Sequence, residues 1–282
     1  MAILIDGKKI AQELQAECAG RALSLKARGI FPRLDVVRVG NDPASEQYAN
    51  SRARDCESVG IESRTHLLPD DSRESELIAL LRELSEDAAV HGILLQLPLP
   101  KHIDQDRAIA QIAPEKDVDG LGVVSAGALF TGRRGFAPCT ASSVLHLIKS
   151  TGVPIAGKNA VVVGRSIVVG KPAAMLLLAE NATVTLCHSR TVELAEYTRR
   201  ADILVAAVGK AGLITGSMVK EDALVVDAGI NRVGERTVGD VNFASVEPVA
   251  GYISPVPGGV GPVTRKILLQ NTLTAAERAN GN

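Results

Sequence analysis

Asn159-Ala-Val-Val-Val-Gly164-Arg165-Ser166-Ile167-Val168-Val169-Gly170-Lys171-Pro172 reads as a buried strand, a glycine-bounded turn and the opening of a helix. A glycine lets the backbone approach a ligand closely, and a helix N-terminus offers unpaired N–H groups and a positive dipole end to a phosphate. The spacing departs from G-x-G-x-x-G: Ser166 stands for the middle glycine, and the last glycine falls one position late. Taken alone, such a turn is more often a tight connection with no ligand. The rhythm around it favours a ligand.

Downstream, a helix over 170–178, a strand over 183–187, a helix over 192–200 and strands over 203–208 and 223–227 continue a βαβ alternation. Upstream, strands are expected over 34–39, 62–68 and 92–97. The intervening helices are 43–59 and 72–87, the second with Leu77, Leu80, Leu81 and Leu84 on one face. Pro98 stops the third strand, because proline cannot continue a central strand. The segment through Leu25 reads as an outlying helix, 114–143 is glycine-rich and aperiodic, and 265–280 is helical in composition. The fold class is α/β with parallel sheets in two domains, as 282 residues at about 150 per domain also suggest.

Composition narrows the function. Seven aromatics (Phe 4, Tyr 3, Trp 0) and Lys+Arg 31 against Asp+Glu 32 leave neither a stacking platform nor a basic footprint, so no nucleic-acid or anionic-membrane partner is expected. The longest apolar run, 173–179, is far below the roughly 18 residues of a membrane span, and a soluble, cytoplasmic protein is expected. Cysteines 18, 56, 139 and 187 form no C-x-x-C pair, so neither a disulfide framework nor a metal site is expected.

Two groups of side chains carry chemistry. The strand ending at Cys187-His188-Ser189-Arg190 lies 23 to 26 positions past Gly164, where an NAD enzyme places an acid on the ribose. No acid stands there. Arg165, Ser189 and Arg190 offer donors to a ribose 2′-phosphate, which favours NADP over NAD. His188 has a bland alternative as a capped or packed histidine. In the first half, Tyr48 and Arg52 share a helix face at i, i+4, Gln96 ends a strand, and Asp117 and Asp119 stand in a loop. Packing, solvation and turn formation are the ordinary roles of these residues.

In sequence order, several motifs together closely resemble the methylenetetrahydrofolate dehydrogenase/cyclohydrolase family. They are Val39-Gly-Asn-Asp-Pro-Ala-Ser45 with Tyr48, Gly92-Ile-Leu-Leu-Gln-Leu-Pro-Leu-Pro100, Pro114-Glu-Lys-Asp-Val-Asp-Gly120 and Pro138-Cys-Thr140. Beyond these come Gly164-Arg-Ser166 with Val169-Gly170 and Pro172, Thr183-Val-Thr185 with Cys187-His-Ser189, Asp227-Ala-Gly-Ile-Asn231, and Pro255-Val-Pro-Gly-Gly-Val-Gly-Pro262 with Thr264.

The resemblance implies an N-terminal folate-binding domain, 1–140 completed by 265–282, and a Rossmann-like NADP-binding domain over 141–264, in a homodimer. It implies oxidation of 5,10-methylenetetrahydrofolate with NADP and, commonly, hydrolysis of the methenyl product to 10-formyltetrahydrofolate in one-carbon metabolism. By the same resemblance, Tyr48 lies beside the folate, Asp119 grips the pterin edge, and Gln96, followed by Leu97 and Pro98, orients the residue at 52. Pro257, Gly258 and Gly259 close over the folate. Gly164, Arg165, Ser166, Val169, Gly170, His188, Ser189 and Ile230 bind the cofactor.

Three positions, in two places, depart from the family pattern. Arg52 stands where the family has lysine, and arginine stays charged near neutral pH and cannot serve as a base. Weak or absent cyclohydrolase activity is therefore expected, the alternatives being the full bifunctional enzyme or a paralogue or regulator acting on another pterin-like ligand. Ala141 and Ser143 replace the family's Pro-x-Gly.

Overall fold

The computed structural model describes residues 1–40 and 43–281, and for 43–50 the backbone alone. Its first half contains β1 (Ile3–Leu4), α1 (Gly7–Ala27), β2 (Arg33–Val39), α2 (Pro43–Val59), β3 (Glu62–Leu68), α3 (Glu74–Glu86), β4 (Gly92–Leu95), α4 (Gln105–Ile109) and α5 (Val123–Phe130). Then come α6 (Cys139–Ser150), β5 (Asn159–Val163), α7 (Gly170–Ala179), β6 (Thr183–Cys187), α8 (Leu194–Thr198), β7 (Ile203–Ala206) and β8 (Leu224–Asp227). The chain closes with β9 (Asn231–Val233), β10 (Arg236–Val238), α9 (Phe243–Val246), β11 (Tyr252–Ile253) and α10 (Val260–Ala279).

The chain folds as two compact units, Glu13–Ala137 with Arg265–Asn282, and Met1–Gln12 with Pro138–Thr264. The first holds a parallel three-stranded sheet, β3-β2-β4. The leucines expected on one face of α3 meet it: Leu77, Leu81 and Leu84 are buried against Val37, Ile93 and Leu95. Burial of a Leu side chain stabilises by roughly 1.5–3 kcal/mol, so this face, not helix propensity, fixes α3 in place.

The second unit holds a parallel six-stranded sheet, β1-β11-β8-β7-β5-β6, and the antiparallel hairpin β9–β10. Its central strands are buried on both faces, which is why 160–163, 203–206 and 223–226 read as unbroken apolar runs.

Several elements differ from the sequence reading. The first residues were expected with the first domain, but β1 pairs in parallel with β11 and belongs to the six-stranded unit. Neither strand exceeds two residues, too short for any period to show. Strand β4 ends at Leu95, not 97, the Gln96 N–H making a last bond to the Val37 carbonyl at 2.9 Å. Helix α10 starts at Val260, five residues early, because Pro262 is tolerated in a first turn, where its missing N–H has no partner to lose. Ala141 and Ser143 are buried in α6, the Ser143 hydroxyl donating to the Cys139 carbonyl at 2.7 Å. Among the described residues, no helix is long and apolar enough to cross a membrane, and no cluster of metal-ligating side chains is present.

Candidate active site

In open parallel sheets, ligands bind beyond the carboxyl ends of the strands. A concavity of about 700 Å³ lies at the other end of the six-stranded sheet, between Met1, Asp222 and Tyr252, which argues against it as the reactive cleft. A smaller one of about 360 Å³ lies at the carboxyl end, bordered by Asp227, Gly239, Phe243 and Val256.

In the three-stranded unit, Arg52 lies on α2 and Gln96 just past β4. The structure brings them together: Arg52 Nη1 donates to Gln96 Oε1 at 3.2 Å, and Gln96 Nε2 donates to the Leu97 carbonyl at 3.0 Å. Both side chains are half-buried. Leu97 and Pro98 follow in a loop whose Leu97–Pro98 peptide is cis. The side chain of Tyr48 lies outside the described residues, as do Asn41 and Asp42.

The two loop aspartates separate by environment. Asp117 is buried, accepts from Ser125 Oγ at 2.5 Å and from the amides of Gly122 (2.9 Å) and Leu121 (3.2 Å), and so ties its loop to the start of α5. Burial raises its pKa, against the opposing pull of these hydrogen bonds. It is a structural group. Asp119 stays half-buried in the same loop.

Helix α10 braces both pieces. Lys266, 4% exposed, donates to Asp55 Oδ1 at 2.7 Å, and Arg265 pairs with Asp55 at 3.3 Å and with the Ser51 hydroxyl, so α2 is held on both sides of Arg52. Asn271 Nδ2 donates to the Val118 carbonyl at 2.8 Å, fixing the loop that carries Asp119. Sequence reading missed these partners, since nothing local marks a contact more than 150 residues away.

In the six-stranded unit, Gly164 sits at φ +130° with its N–H on the Cys187 carbonyl at 2.9 Å, and a Cβ there would strike the Ala207 carbonyl. A Cβ on Gly170 would strike the Gly164 carbonyl. The turn is therefore closed to any larger residue at both glycines. Ser166 replaces a glycine for a reason: its Oγ accepts from the amides of Val169 (3.1 Å) and Gly170 (3.4 Å), capping α7. Arg165, Ser166, Ser189 and Arg190 are exposed, and Val169 is half-buried. His188 Nδ1 accepts from the Arg190 amide at 3.1 Å, which pins its ring. Ile230 is 66% exposed past β8.

Pro257, Gly258 and Gly259 lie between β11 and α10 in this same unit, with Val256–Pro257 cis and Gly258 at φ +113°. A Cβ on Gly7 would fall on the Gly259 carbonyl, so the loop rests on the first turn of α1.

Residues 5–119 match the model of the tetrahydrofolate dehydrogenase/cyclohydrolase catalytic domain, and residues 138–280 match that of the same family's NAD(P)-binding domain. The chain belongs to the tetrahydrofolate dehydrogenase/cyclohydrolase family. It is 55% identical over 276 residues to the bifunctional FolD protein of Moorella thermoacetica, covering 98% of this chain and 99% of that one. The FolD protein of Exiguobacterium sibiricum is 51% identical, with 98% and 100% covered. Among solved structures, the bifunctional FolD enzyme of Campylobacter jejuni superposes with a TM-score of 0.97 at 43% identity, covering 99% of each chain. The Trypanosoma brucei enzyme, complexed with NADP cofactor and inhibitor, gives 0.95 at 39%, covering 100% of this chain and 99% of that one.

Proposed function

We propose that this chain is a cytoplasmic, homodimeric enzyme that oxidises 5,10-methylenetetrahydrofolate with NADP and hydrolyses the methenyl product to 10-formyltetrahydrofolate. Similarity to bifunctional relatives over nearly the whole chain carries this reading, and it favours two activities over loss of the second.

The residues present fit the cofactor. Gly164 and Gly170 let the turn close tightly on its own backbone ahead of α7, and no carboxylate ends β6 to repel a 2′-phosphate from Arg165, Ser189 and Arg190. NADP, when bound, supplies the acceptor for a hydride from the methylene carbon. Ser166, Val169, His188 and Ile230 complete its bed. In the three-stranded unit, Asp119 accepts N–H donors from the pterin edge, and Leu97 and Pro98 border the ring.

Hydride transfer leaves positive charge on the folate, so what the Arg52–Gln96 pair offers that step is positioning, not its charge. Hydrolysis adds water to the methenyl carbon and releases one proton. Arg52 can stabilise negative charge on the attacking oxygen but cannot take that proton. Hydrolysis is thus the slower activity, limited at residue 52.

Separate assays of the two reactions, on the wild type and Arg52→Lys, test this reading. NADPH formation from the methylene substrate together with methenyl hydrolysis above the uncatalysed rate is expected of the wild type, and absence of both refutes it. Light scattering tests the dimer.

A further inference from the structure

Past β7, the chain turns through Val208, Gly209 and Lys210 with three successive backbone amides pointing at one side chain. Asp240 Oδ2 accepts from Val208 (2.6 Å) and Gly209 (3.0 Å), and its Oδ1 accepts from Lys210 (2.8 Å) and from Asn231 Nδ2 (2.9 Å). The carboxylate has no solvent exposure. Consecutive amides of this kind form a concave anion site, and here the anion is the protein's own.

The two segments that Asp240 joins both leave carboxyl ends of central strands. One follows β7 and includes Ala207, whose carbonyl occupies the space a Gly164 side chain would need. The other follows β8: a Cβ on Gly229 would strike the Asp240 carboxyl, and Asn231 donates to it. Ile230, between those two anchored residues, is left facing solvent. Asp240 is itself held in place, its amide donating to Asp227 Oδ1 at 3.0 Å.

We infer that Asp240 is a positioning residue for the dinucleotide. It touches no cofactor atom but sets the 207–210 wall beside the Gly164 turn and the presentation of Ile230. The inference rests on the NADP reading above. Asparagine is the informative replacement: whichever way its amide turns, an NH2 faces two of the four donors that Asp240 now satisfies, and the wall is released.

The test is a fluorescence titration of the full-length wild type and Asp240→Asn with NADPH, alongside steady-state kinetics in NADP and in methylenetetrahydrofolate. The expected result is a rise of about tenfold in the NADPH Kd and the NADP KM, with the folate KM within twofold of wild type. A rise under threefold overturns the inference, as does an equal rise in the folate KM, which marks general damage. Should Asp240→Asn show no cooperative melting, Asn231→Ala replaces it; removing one donor is expected to raise the NADPH Kd about threefold, and an unchanged Kd overturns the inference. A wild type that fails to bind NADPH overturns the underlying NADP reading instead.

Discussion

Arg52 Nη1 donates to Gln96 Oε1 at 3.2 Å, joining the middle of α2 to the carboxyl end of β4. A permanent cation is thereby held where a proton-transferring amine would be useful. With no titrating base at this position, the hydrolytic rate of the wild type should climb with pH without a break between roughly pH 6 and 9. Arg52→Lys should introduce a break and raise hydrolysis at neutral pH at least tenfold, within the span of general acid–base effects. The pH–rate profiles of the two proteins check this; superimposable profiles would sink it.

The Lys266–Asp55 pair at 2.7 Å is largely withdrawn from solvent, with side chains 5% and 15% exposed. Lys266→Ala should destabilise the protein by about 2–4 kcal/mol, since one buried charge loses its main partner. Combining Lys266→Ala with Asp55→Ala should cost clearly less than the sum of the single changes. Urea denaturation of the four proteins measures the coupling, and strict additivity would contradict it.

Burial raises the Asp227 pKa to about 6, the neighbouring Asp240 adding to the rise while the amides of Val241, Asp240 and Gly229 oppose it. A carboxyl whose folded pKa lies above its unfolded one binds more protons when folded. Its contribution to stability is therefore largest near pH 4, falls as pH rises to about 6, and is level above that. The whole change is on the order of 3 kcal/mol. The difference in unfolding free energy between wild type and Asp227→Asn should decline by about 2–3 kcal/mol from pH 4 to pH 7. A difference independent of pH would refute it.

Arg165 and Arg190 are exposed beside the turn and the end of β6. A charge-assisted bond to a phosphate contributes about 1.5–3 kcal/mol, so Arg165→Ala or Arg190→Ala should raise the NADP KM roughly 10- to 100-fold. The NAD KM should stay within about twofold, because NAD lacks the 2′-phosphate. Parallel kinetics with both nucleotides decide, and equal losses would argue against the assignment.

The amino-acid sequence by itself determined the parallel α/β class, the glycine turn at 164–170 and the amphipathic face of α3. These features are local: strand burial, the steric freedom of glycine and a 3.6-residue period are written into neighbouring residues. Family motifs likewise brought Arg52, Gln96 and Asp119 forward as single positions. Only the tertiary structure decided that Arg52 meets Gln96, that Asp117 is buried and bonded to Ser125 of α5, and that β1 joins the six-stranded sheet. It alone revealed Lys266 beneath α2 and Asp240 beneath the strand-end loops. Those relationships depend on desolvation and on hydrogen bonds between residues distant in the chain, and neither leaves a periodic trace in the sequence.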